Sequence, residues 1–520
     1  KVLEHPNARV VNQNIHFDVQ YLSQFFGIVP RVVGDTMVAQ HLLFPGLRKS
    51  LDVLASVYCK YYSFWKDERG DYKKPPENDE QFFAYNMRDC CYTWEVYQKQ
   101  LPLLKARGHM ERYTEIMQHT WWSVLAMMTR GIRIDKAARS SMAEKLLHAA
   151  QERKLYLNTV IGWEMNPDSP LQMRRFFIDE MGCTPRKNRK GTFSLDAEVL
   201  VEMRNVYPLL CPIIDAIIEL RSIGTFLSNF VTSRLDFDGR MRSDYGIAAT
   251  ETFRFNSAKS VRDIGGNLQN VPKGDRAKTK FKMPNVRELF IPDDPTKEIF
   301  DIDLAGADAQ VVAWEADDPI LKELFRKKIK VHAVNAKDLF GGNAGPDGKK
   351  EPYYTRTKMG VHLTNYGGKP RTMAKALGIP VHEAEKFQTR WFEIHPWIRK
   401  WHEAVQRELD TYHRIRNIFG YERIYFGHNE YLLPQALAWK PQSTVAIVAR
   451  KAQDIIEERF RLAEINMQVH DSLVFQLPIL RPKGYVESLM EAINIVCPYE
   501  DPLIIPFGMK SSVRNWGECE

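Results

Sequence analysis

The chain has 520 residues, of which 44% are hydrophobic and 27% charged, and its formal net charge is +8. This composition is that of a globular protein of about three domains, and the mildly basic balance permits nucleic-acid binding. No run reaches about 20 apolar residues, the first residues do not resemble a secretory signal, and the seven cysteines form no CxxC pair. We therefore expect no membrane span, no disulfide framework, no zinc site and a cytoplasmic location.

The spacing of apolar residues predicts an α/β beginning, a helical middle and a final sheet that helices interrupt. Residues 68–80 are polar and contain prolines, which predicts a loop, and residues 165–193 are expected to be rich in loops. The predicted helices cover 84–100, 136–160, 196–235, 352–366 and 382–412. The predicted strands cover 298–304 and 466–477, the latter as two strands around a sharp turn at His470 and Asp471.

Two segments of the first third combine a polar residue with an aspartate four residues later. Asn14 and Asp18 lie in NQNIHFDVQYL, and Tyr85 and Asp89 lie in YNMRDCCYTW. Taken alone, the second pair is typical of a helix surface. Together they resemble the second and third motifs of the proofreading 3′–5′ exonucleases, which implies metal-binding aspartates that activate a water. That family's first motif, a DxE pair, should precede Asn14 by many residues, so we expect an incomplete exonuclease domain that degrades single-stranded DNA poorly or not at all.

The segment TFRFNSAKSVRDIGGNLQNVP (252–272) is followed by a basic run over 276–287. A turn rich in asparagine and a solvated basic loop would also fit these residues. However, the segment resembles TGRLSSSNPNLQNIP of the family typified by bacterial DNA polymerase I. The resemblance implies that four side chains lie along the primer–template minor groove, where every base pair offers acceptors, and that the basic run follows the phosphates. These four are Arg254, Asn267, Gln269 and Asn270.

In EIFDIDL (298–304), alternation places Asp301 and Asp303 on one face of a strand, which suits a cation but also suits an ordinary turn. The continuation DLAGADAQVVAWEADD resembles the first polymerase motif of the same family, with Gln310 where arginine is usual. This register implies that Asp303, rather than Asp301, binds metal. It also implies that Asp308 is the gate that leaves no room for a ribose 2′-hydroxyl. The open alternative is that Asp308 caps the following helix.

Lys358, His362 and Tyr366 recur every four residues in TRTKMGVHLTNYGG, so they share one helical face. They could be a solvated lysine and two amphipathic core residues. The segment resembles the family's second motif, RxxxKxxxFxxxYG. The resemblance implies that the lysine neutralises the triphosphate, that His362 lies near the sugar and that Tyr366 lies against the templating base.

Two further positions of this region concern the phosphates. His332, in KVHAVNAKDLFG, matches the family's fingers histidine, which implies another phosphate contact. The usual arginine four residues before the lysine is replaced by Tyr354, and Arg356 or Lys369 can substitute for it.

Asp471 is predicted at a turn between two apolar strands, where a charge must be paired, hydrated or bound to metal. QVHDSLVF (468–475) resembles the third polymerase motif, QVHDELVF, with Ser472 where glutamate is usual. The resemblance implies that Asp471 is the second metal ligand and that His470 lies near the DNA, while Gln442 in KPQSTVAIVA matches the palm-helix glutamine beside the primer terminus. Two aspartates can hold two Mg²⁺ ions, or Mn²⁺, that activate the primer 3′-hydroxyl.

The resemblance implies a multidomain α/β protein: a right-hand polymerase preceded by a partial RNase H-like exonuclease domain. The expected domains are the exonuclease part at 1–110, the thumb at 111–235, the palm at 236–318 and 416–520, and the fingers at 319–415. The expected activity is DNA-directed DNA synthesis, with Asp303, Asp471 and Lys358 as catalytic residues and primer–template DNA and dNTPs as partners. Accessory replication factors are left open.

Two rival functions are weighed against this one. A single-subunit RNA polymerase shares the Lys and Tyr-Gly helix and an HDS-like turn, but the exonuclease motifs, NLQNVP and an acid rather than a glycine at position 308 oppose it. A non-catalytic DNA-binding protein is opposed by the intact set of Asp303, Asp471 and Lys358.

Overall fold

A computed structural model describes residues 2–69, 78–188, 191–260, 262–274, 281–427 and 431–519. Most of the predicted loop at 68–80, and Arg276, Lys278 and Lys280 of the predicted phosphate-following run, lie outside the described residues. Among the described residues, no helix has the length and apolar character that crossing a membrane requires.

The helices, in chain order, are α1 (Ile15–Phe26), α2 (Thr36–Leu43), α3 (Leu51–Tyr58), α4 (Asp79–Ala106), α5 (Met110–Glu115), α6 (Trp121–Arg130), α7 (Lys136–Ile161), α8 (Pro170–Arg174), α9 (Ala197–Val206), α10 (Cys211–Phe226), α11 (Ala307–Glu315), α12 (Pro319–Arg326), α13 (Val331–Phe340), α14 (Tyr353–Asn365), α15 (Pro370–Leu377), α16 (Val381–Ile394), α17 (Pro396–Tyr412), α18 (Leu433–Arg459) and α19 (Tyr485–Ala492). π-helical turns at Ile116–Thr120, Arg175–Glu180 and Leu227–Val231 continue α5, α8 and α10.

The strands are β1 (Val10–Asn12), β2 (Val32–Asp35), β3 (Ile132–Ile134), β4 (Arg240–Met241), β5 (Ser243–Gly246), β6 (Asn256–Lys259), β7 (Phe290–Ile291), β8 (Lys297–Leu304), β9 (Arg414–Arg416), β10 (Glu422–Ile424), β11 (Glu464–Val469), β12 (Ser472–Pro478), β13 (Val496–Cys497), β14 (Leu503–Ile504) and β15 (Phe507–Ser512). Short 3₁₀ turns lie at Lys66–Arg69, Pro208–Leu210, Leu268–Asn270, Val286–Leu289, Gly341–Ala344 and Trp516–Cys519.

A four-stranded antiparallel sheet in the order β11-β12-β8-β15 forms the centre of the fold. Its apolar side chains are buried on β8, where Ile302 is fully buried, and the rings of Phe300 and Phe475 stack across strands at 5.4 Å. Helices α11 and α18 pack against each other, and α18 also contacts β11 and β12, so that the sheet has a helical layer. The last residues of β8 therefore have a rigid support.

Two helical regions flank this centre. Helix α14 packs between α13, α15 and α16, and places its lysine and histidine near the end of β8. On the other side, α7 packs along α10 and shares with α9 a separate apolar core that includes Phe177 and Ile214. In the first third, β1 and β2 pair in parallel, and α4 contacts β1 and packs against α2 and α3.

The main predicted elements are confirmed, with longer or divided bounds. The helix predicted at 84–100 extends to Asp79–Ala106, and the strands around His470 are present. The single helix predicted over 382–412 is wrong: it divides at Pro396, which lacks an N–H and disfavours helical backbone in the residue before it. The loop-rich prediction for 165–193 missed α8 and the π-helical turn after it, which Ser169 caps.

Candidate functional site

A cavity of about 430 Å³ opens between the end of β8, the start of α11 and the facing sides of α13 and α14. Residues that the sequence scatters over 169 positions line it together: Asp303, Asp308, His332, Lys358, His362, Tyr366 and Asp471. These are all the residues for which the polymerase motifs predicted a metal or nucleotide role. Those roles stay predictions, but the structure brings the whole set into one place.

Asp303 and Asp471 come together through the pairing of β8 with β12. Asp303 lies opposite Ser472 in the strand register, and the Leu304 amide donates to the Asp471 carbonyl at 3.4 Å. Within the described ranges, no side chain donates a hydrogen bond to either carboxylate or forms an ion pair with it. Burial and the facing Asp471 charge raise the pKa of Asp303 to about 6, and burial raises the pKa of Asp471. Two uncompensated carboxylates at one point suit a divalent cation.

Asp301, two residues earlier on the same strand, has a structural environment instead. Its carboxylate accepts hydrogen bonds from the Ser472 hydroxyl and, at 2.7 Å, from the Trp516 indole, and the Arg287 guanidinium lies 3.8 Å away. Ser472, which departs from the family's glutamate, thus holds Asp301 in place. Because the Asp301 carboxylate already accepts two hydrogen bonds from the protein, Asp303 is the better candidate for the metal ligand.

The opposite wall of the cavity is built by α13 and α14. The ring centroids of His362, in the last turn of α14, and of Tyr366, the C-cap of that helix, lie 4.3 Å apart. Burial and the nearby Lys358 charge lower the pKa of His332 to about 4, and burial lowers the pKa of His362. Both rings are therefore neutral at pH 7, and the positive charge on this wall is that of Lys358.

No arginine is found among the described residues that line this cavity, so none of them replaces the missing family arginine. Tyr354 meets the His332 ring edge-on at 6.2 Å, so that an aromatic contact stands where the guanidinium was expected. Neither Arg356 nor Lys369 belongs to the described residues that line the cavity, so the prediction that one of them substitutes has no support. The sequence could not reveal this, because the packing of His332 against Tyr354 is a tertiary contact.

Asp308 lies in the first turn of α11, whose N-cap is Gly306 in the left-handed region at φ 58. Its carboxylate is 3.6 Å from the Arg254 guanidinium, and burial together with the Asp308 charge raises the pKa of Tyr366. The Asp308 Oδ1 atom is buried and accepts no hydrogen bond from the described residues, which argues against a capping role. Asp308 faces the cavity between Arg254 and Tyr366.

A second cavity of about 760 Å³ shares Asp303 and Asp471 with the first and extends away from α14. Three of the predicted DNA-binding residues line it: Gln269, Asn270 and His470, the last in the left-handed region at φ 60. Arg287, which belongs to the predicted phosphate-following run over 276–287, also lines it, and Lys273 and Lys510 add positive charge that the sequence analysis had not singled out.

The other predicted DNA contacts lie outside this second cavity. Arg254 pairs with Asp308, and the Asn267 side chain accepts from the Ser257 hydroxyl. Gln442 lies on α18, partly buried.

Two of the four exonuclease-like residues, Asp18 and Asp89, line a separate cleft of about 720 Å³. Asp18 accepts from the Asn12 amide at 2.7 Å, and burial raises the pKa of Asp18 to about 6. Asn14 does not line the cleft; it is the N-cap of α1, and its backbone N–H donates to Asp35.

Asp89 is held by two donors that the sequence did not reveal. The Lys66 ammonium lies 2.8 Å from the Asp89 carboxylate and 2.9 Å from the Tyr85 hydroxyl, and the Trp65 indole donates to Asp89 at 2.6 Å. A lysine therefore occupies the position between the tyrosine and the aspartate.

The unpaired charge of Asp303 leads to a prediction on stability. In metal-free buffer, Asp303→Asn should raise the midpoint of thermal unfolding at about pH 7.5 and raise it much less at about pH 4. The folded pKa of about 6 lies above the usual 3.8, so the ionised carboxylate destabilises the fold above pH 6, and this penalty vanishes below the unfolded value. Scanning calorimetry at both pH values checks it, with the exposed Asp338→Asn as control. A rise of equal size at both pH values contradicts it.

Two family models match the chain. The one described as DNA polymerase family A matches residues 136–518, and the one described as 3′–5′ exonuclease matches residues 1–105. Together they cover the sheet with its aspartates and the cleft with Asp18 and Asp89.

Several curated proteins are similar to the chain over most of its length. DNA polymerase I of Geobacillus stearothermophilus is 25% identical over 500 residues, which cover 91% of this chain and 54% of that protein. DNA polymerase I of Rhizobium leguminosarum is 25% identical over 548 residues, covering 100% and 52%. The chain thus spans about half the length of the curated relatives it matches.

A solved structure shares the fold. It is described as the POL domain of Pol1 from M. smegmatis in complex with DNA primer-template and dNTP, and it superposes with a TM-score of 0.83 at 18% sequence identity. The match covers 99% of this chain and 88% of that one. The predicted fold, a polymerase preceded by an exonuclease-like domain, is confirmed.

Proposed function

This chain belongs to DNA polymerase family A, and we propose that it is a DNA-directed DNA polymerase that adds dNTPs to a primer 3′-hydroxyl on a DNA template. One observation carries the proposal: the unpaired Asp303 and Asp471 share a cavity with Lys358 and His332, and share a second cavity with Gln269 and Asn270. A triphosphate and a primer–template can thus meet at the same two carboxylates. The domain boundaries and the cytoplasmic location stay predictions.

Asp303 and Asp471 fit a pair of divalent cations, Mg²⁺ or Mn²⁺. Neither carboxylate has a hydrogen-bond or ion-pair partner among the described side chains, and burial raises the pKa of both, so a bound cation would stabilise their ionised forms. Bound cations supply the charge that activates the primer 3′-oxygen and stabilises the leaving pyrophosphate. The protein's own contribution is rigid support, because Asp303 ends a central strand and Asp471 lies in the turn beside it.

The remaining residues would hold the substrates in line. Lys358 is placed to neutralise the triphosphate, while the neutral His332 can donate one hydrogen bond to a phosphate oxygen. His362 and Tyr366, which line the same cavity, would contact the sugar and the base.

On the DNA side, amide donors suit the minor groove of any sequence. Gln269, whose Nε2 atom is buried and has no acceptor among the described residues, is the best placed of these donors. We assign the same role to Asn270, and place Asn267, Gln442 and His470 along the primer–template path.

The experiment that tests the proposal offers a labelled primer–template first the four dNTPs and then the four rNTPs. We expect template-specified extension with dNTPs and much less with rNTPs. Faster extension with rNTPs would support the RNA polymerase alternative. Tight DNA binding with no extension by either set would support a non-catalytic DNA-binding protein.

Asp308 is proposed as the sugar gate. Asp308→Ala should lower the ratio of dCTP to rCTP incorporation efficiency by about tenfold or more, which equals about 1.4 kcal/mol of discrimination. The reason is that the carboxylate, which lies 3.6 Å from the Arg254 guanidinium, would occupy the space that a ribose 2′-hydroxyl needs. Steady-state kcat/KM for both nucleotides measures it. If the ratio is unchanged and the variant is less stable by about 1 kcal/mol, the usual cost of a lost cap, then Asp308 is a helix cap.

Cleavage by the exonuclease-like cleft is expected to be weak, because Lys66 already neutralises Asp89. Purified protein should leave a labelled single strand intact over the time in which it fully extends a primer. Lys66→Ala, which frees the Asp89 carboxylate, should then increase any residual shortening. Robust shortening by the unmodified chain that Asp18→Ala abolishes would contradict this.

A further inference from the structure

Phe253 has a backbone conformation that its side chain disfavours. Its φ is 62°, in the left-handed region, where a bulky residue is a genuine outlier because its Cβ crowds the carbonyl that follows. The family motif that matches this segment, TGRLSS, has glycine at the corresponding position, and glycine adopts this conformation freely. Something in the structure must therefore stabilise phenylalanine here.

The stabilising surroundings are aromatic and come from distant parts of the chain. The Phe253 ring is almost fully buried, with the ring of His41 at 4.5 Å, that of Tyr421 at 4.9 Å and that of Trp439 at 6.4 Å. Tilted and edge-to-face contacts at these distances are favourable. His41 belongs to α2 of the exonuclease-like region, whereas Tyr421 and Trp439 belong to the polymerase part.

The turn that carries Phe253 leads directly to the proposed sugar gate. The Phe253 amide donates to the Thr250 carbonyl at 3.1 Å, and the Thr250 hydroxyl donates to the Arg254 carbonyl at 2.5 Å. The Trp439 indole also donates to the Glu251 carbonyl at 2.7 Å, so the same tryptophan packs near the ring and anchors the turn. The next side chain, Arg254, faces Asp308 at 3.6 Å.

His41 contributes packing and no hydrogen bond. It is 1% exposed, and neither of its ring nitrogens has a partner among the described residues. A buried polar ring without partners is unfavourable for the fold. The ring contact between His41 and Phe253 offsets part of this unfavourable free energy.

We propose that Phe253 is a positioning residue for sugar selection: its ring, clamped by His41, Tyr421 and Trp439, fixes the turn that holds Arg254 against Asp308. The exonuclease-like region thereby takes part in nucleotide selection by the polymerase site, through His41. This inference rests on the proposed function, since it assigns a determinant of selectivity to the same cavity.

The test measures the dCTP to rCTP efficiency ratio in Phe253→Gly, which relieves the backbone and removes the ring. We expect the ratio to fall by about fivefold or more. In an Asp308→Ala background the same change should have little further effect, because both changes disturb one arrangement and contacting residues are not additive. If Phe253→Gly does not fold, Phe253→Leu keeps apolar bulk without the aromatic contacts and should lower the ratio in the same direction.

His41→Ala and His16→Ala form the matched pair of controls. Both are buried histidines of the exonuclease-like region that lie against an aromatic ring, but His16 stacks on Trp121 and not on Phe253. Only His41→Ala should lower the ratio, whatever the two changes do to the melting temperature.

Failure of the inference is distinguishable from failure of the proposed function. Wild-type protein that extends no primer contradicts the proposed function. In that case the ratio of the affinities for dCTP and rCTP, measured on a primer that ends in a dideoxynucleotide, still tests sugar selection because no bond has to form. An unchanged ratio in both Phe253→Gly and His41→Ala overturns the inference. The inference is also overturned if Phe253→Gly lowers the dCTP to rCTP ratio by the same factor in the wild-type and in the Asp308→Ala background.

Discussion

Asp471→Ala and Asp303→Ala should each reduce primer extension by at least about a thousandfold, which corresponds to roughly 4 kcal/mol of the activation barrier. The two carboxylates are the only negative groups that β8 and the β11–β12 turn jointly present to both cavities, among the described residues. Removing either one leaves a single carboxylate, which cannot hold two cations. DNA affinity should change little, because contacts with the phosphate backbone dominate it.

Single-turnover extension and fluorescence anisotropy of a labelled primer–template measure the two quantities separately. Asp338→Ala is the matched control, since Asp338 is an exposed aspartate of α13 that does not line the cavity. Near-normal extension by either alanine variant would remove the metal assignment. A parallel loss of DNA affinity would instead show that the two aspartates serve the fold.

Lys358→Ala should lower kcat/KM for dNTPs by a factor on the order of 10² to 10³, the usual effect of removing one preorganised charge from a reacting group. The effect should be large because Lys358 is the only lysine or arginine among the described residues that line the cavity. His332, with its pKa lowered to about 4, and His362 are neutral at pH 7, and the expected arginine is Tyr354.

Steady-state kinetics with a single dNTP checks the Lys358 prediction, and Lys386→Ala on the exposed face of α16 is the control. Lys358→Arg should recover part of the loss, because it keeps a cation on the same helical face. Equal kcat/KM for Lys358→Ala and wild type would place the triphosphate elsewhere.

The sequence predicted the cavity well because its residues belong to short, regular segments. Lys358, His362 and Tyr366 are one helical turn apart, so their shared face follows from helix geometry alone. Asp303 and Asp471 end or join strands whose apolar alternation is plain in the sequence. That the two aspartates and this helical face meet in one cavity was implied by the family resemblance and not by the spacing of the residues.

What the sequence did not show depends on pairs that are far apart along the chain. Ser472 and Trp516 hold Asp301 across 171 and 215 residues. Lys66 reaches Asp89 from a separate turn, and Tyr354 meets His332 between two helices. Each of these contacts forms only when separate elements pack together. The local spacing of residues therefore does not predict any of them.

One measurement tests the central claim most directly: addition of a single nucleotide to a primer opposite a templating guanine, at saturating Mg²⁺. The structure predicts that wild-type protein adds dCTP in preference to the other dNTPs, and that chelation of the metal or Asp471→Ala abolishes the product. Absence of product with folded wild-type protein bound to the primer–template, or addition that ignores the templating base, would contradict the claim that Asp303 and Asp471 form the centre of a template-directed DNA polymerase.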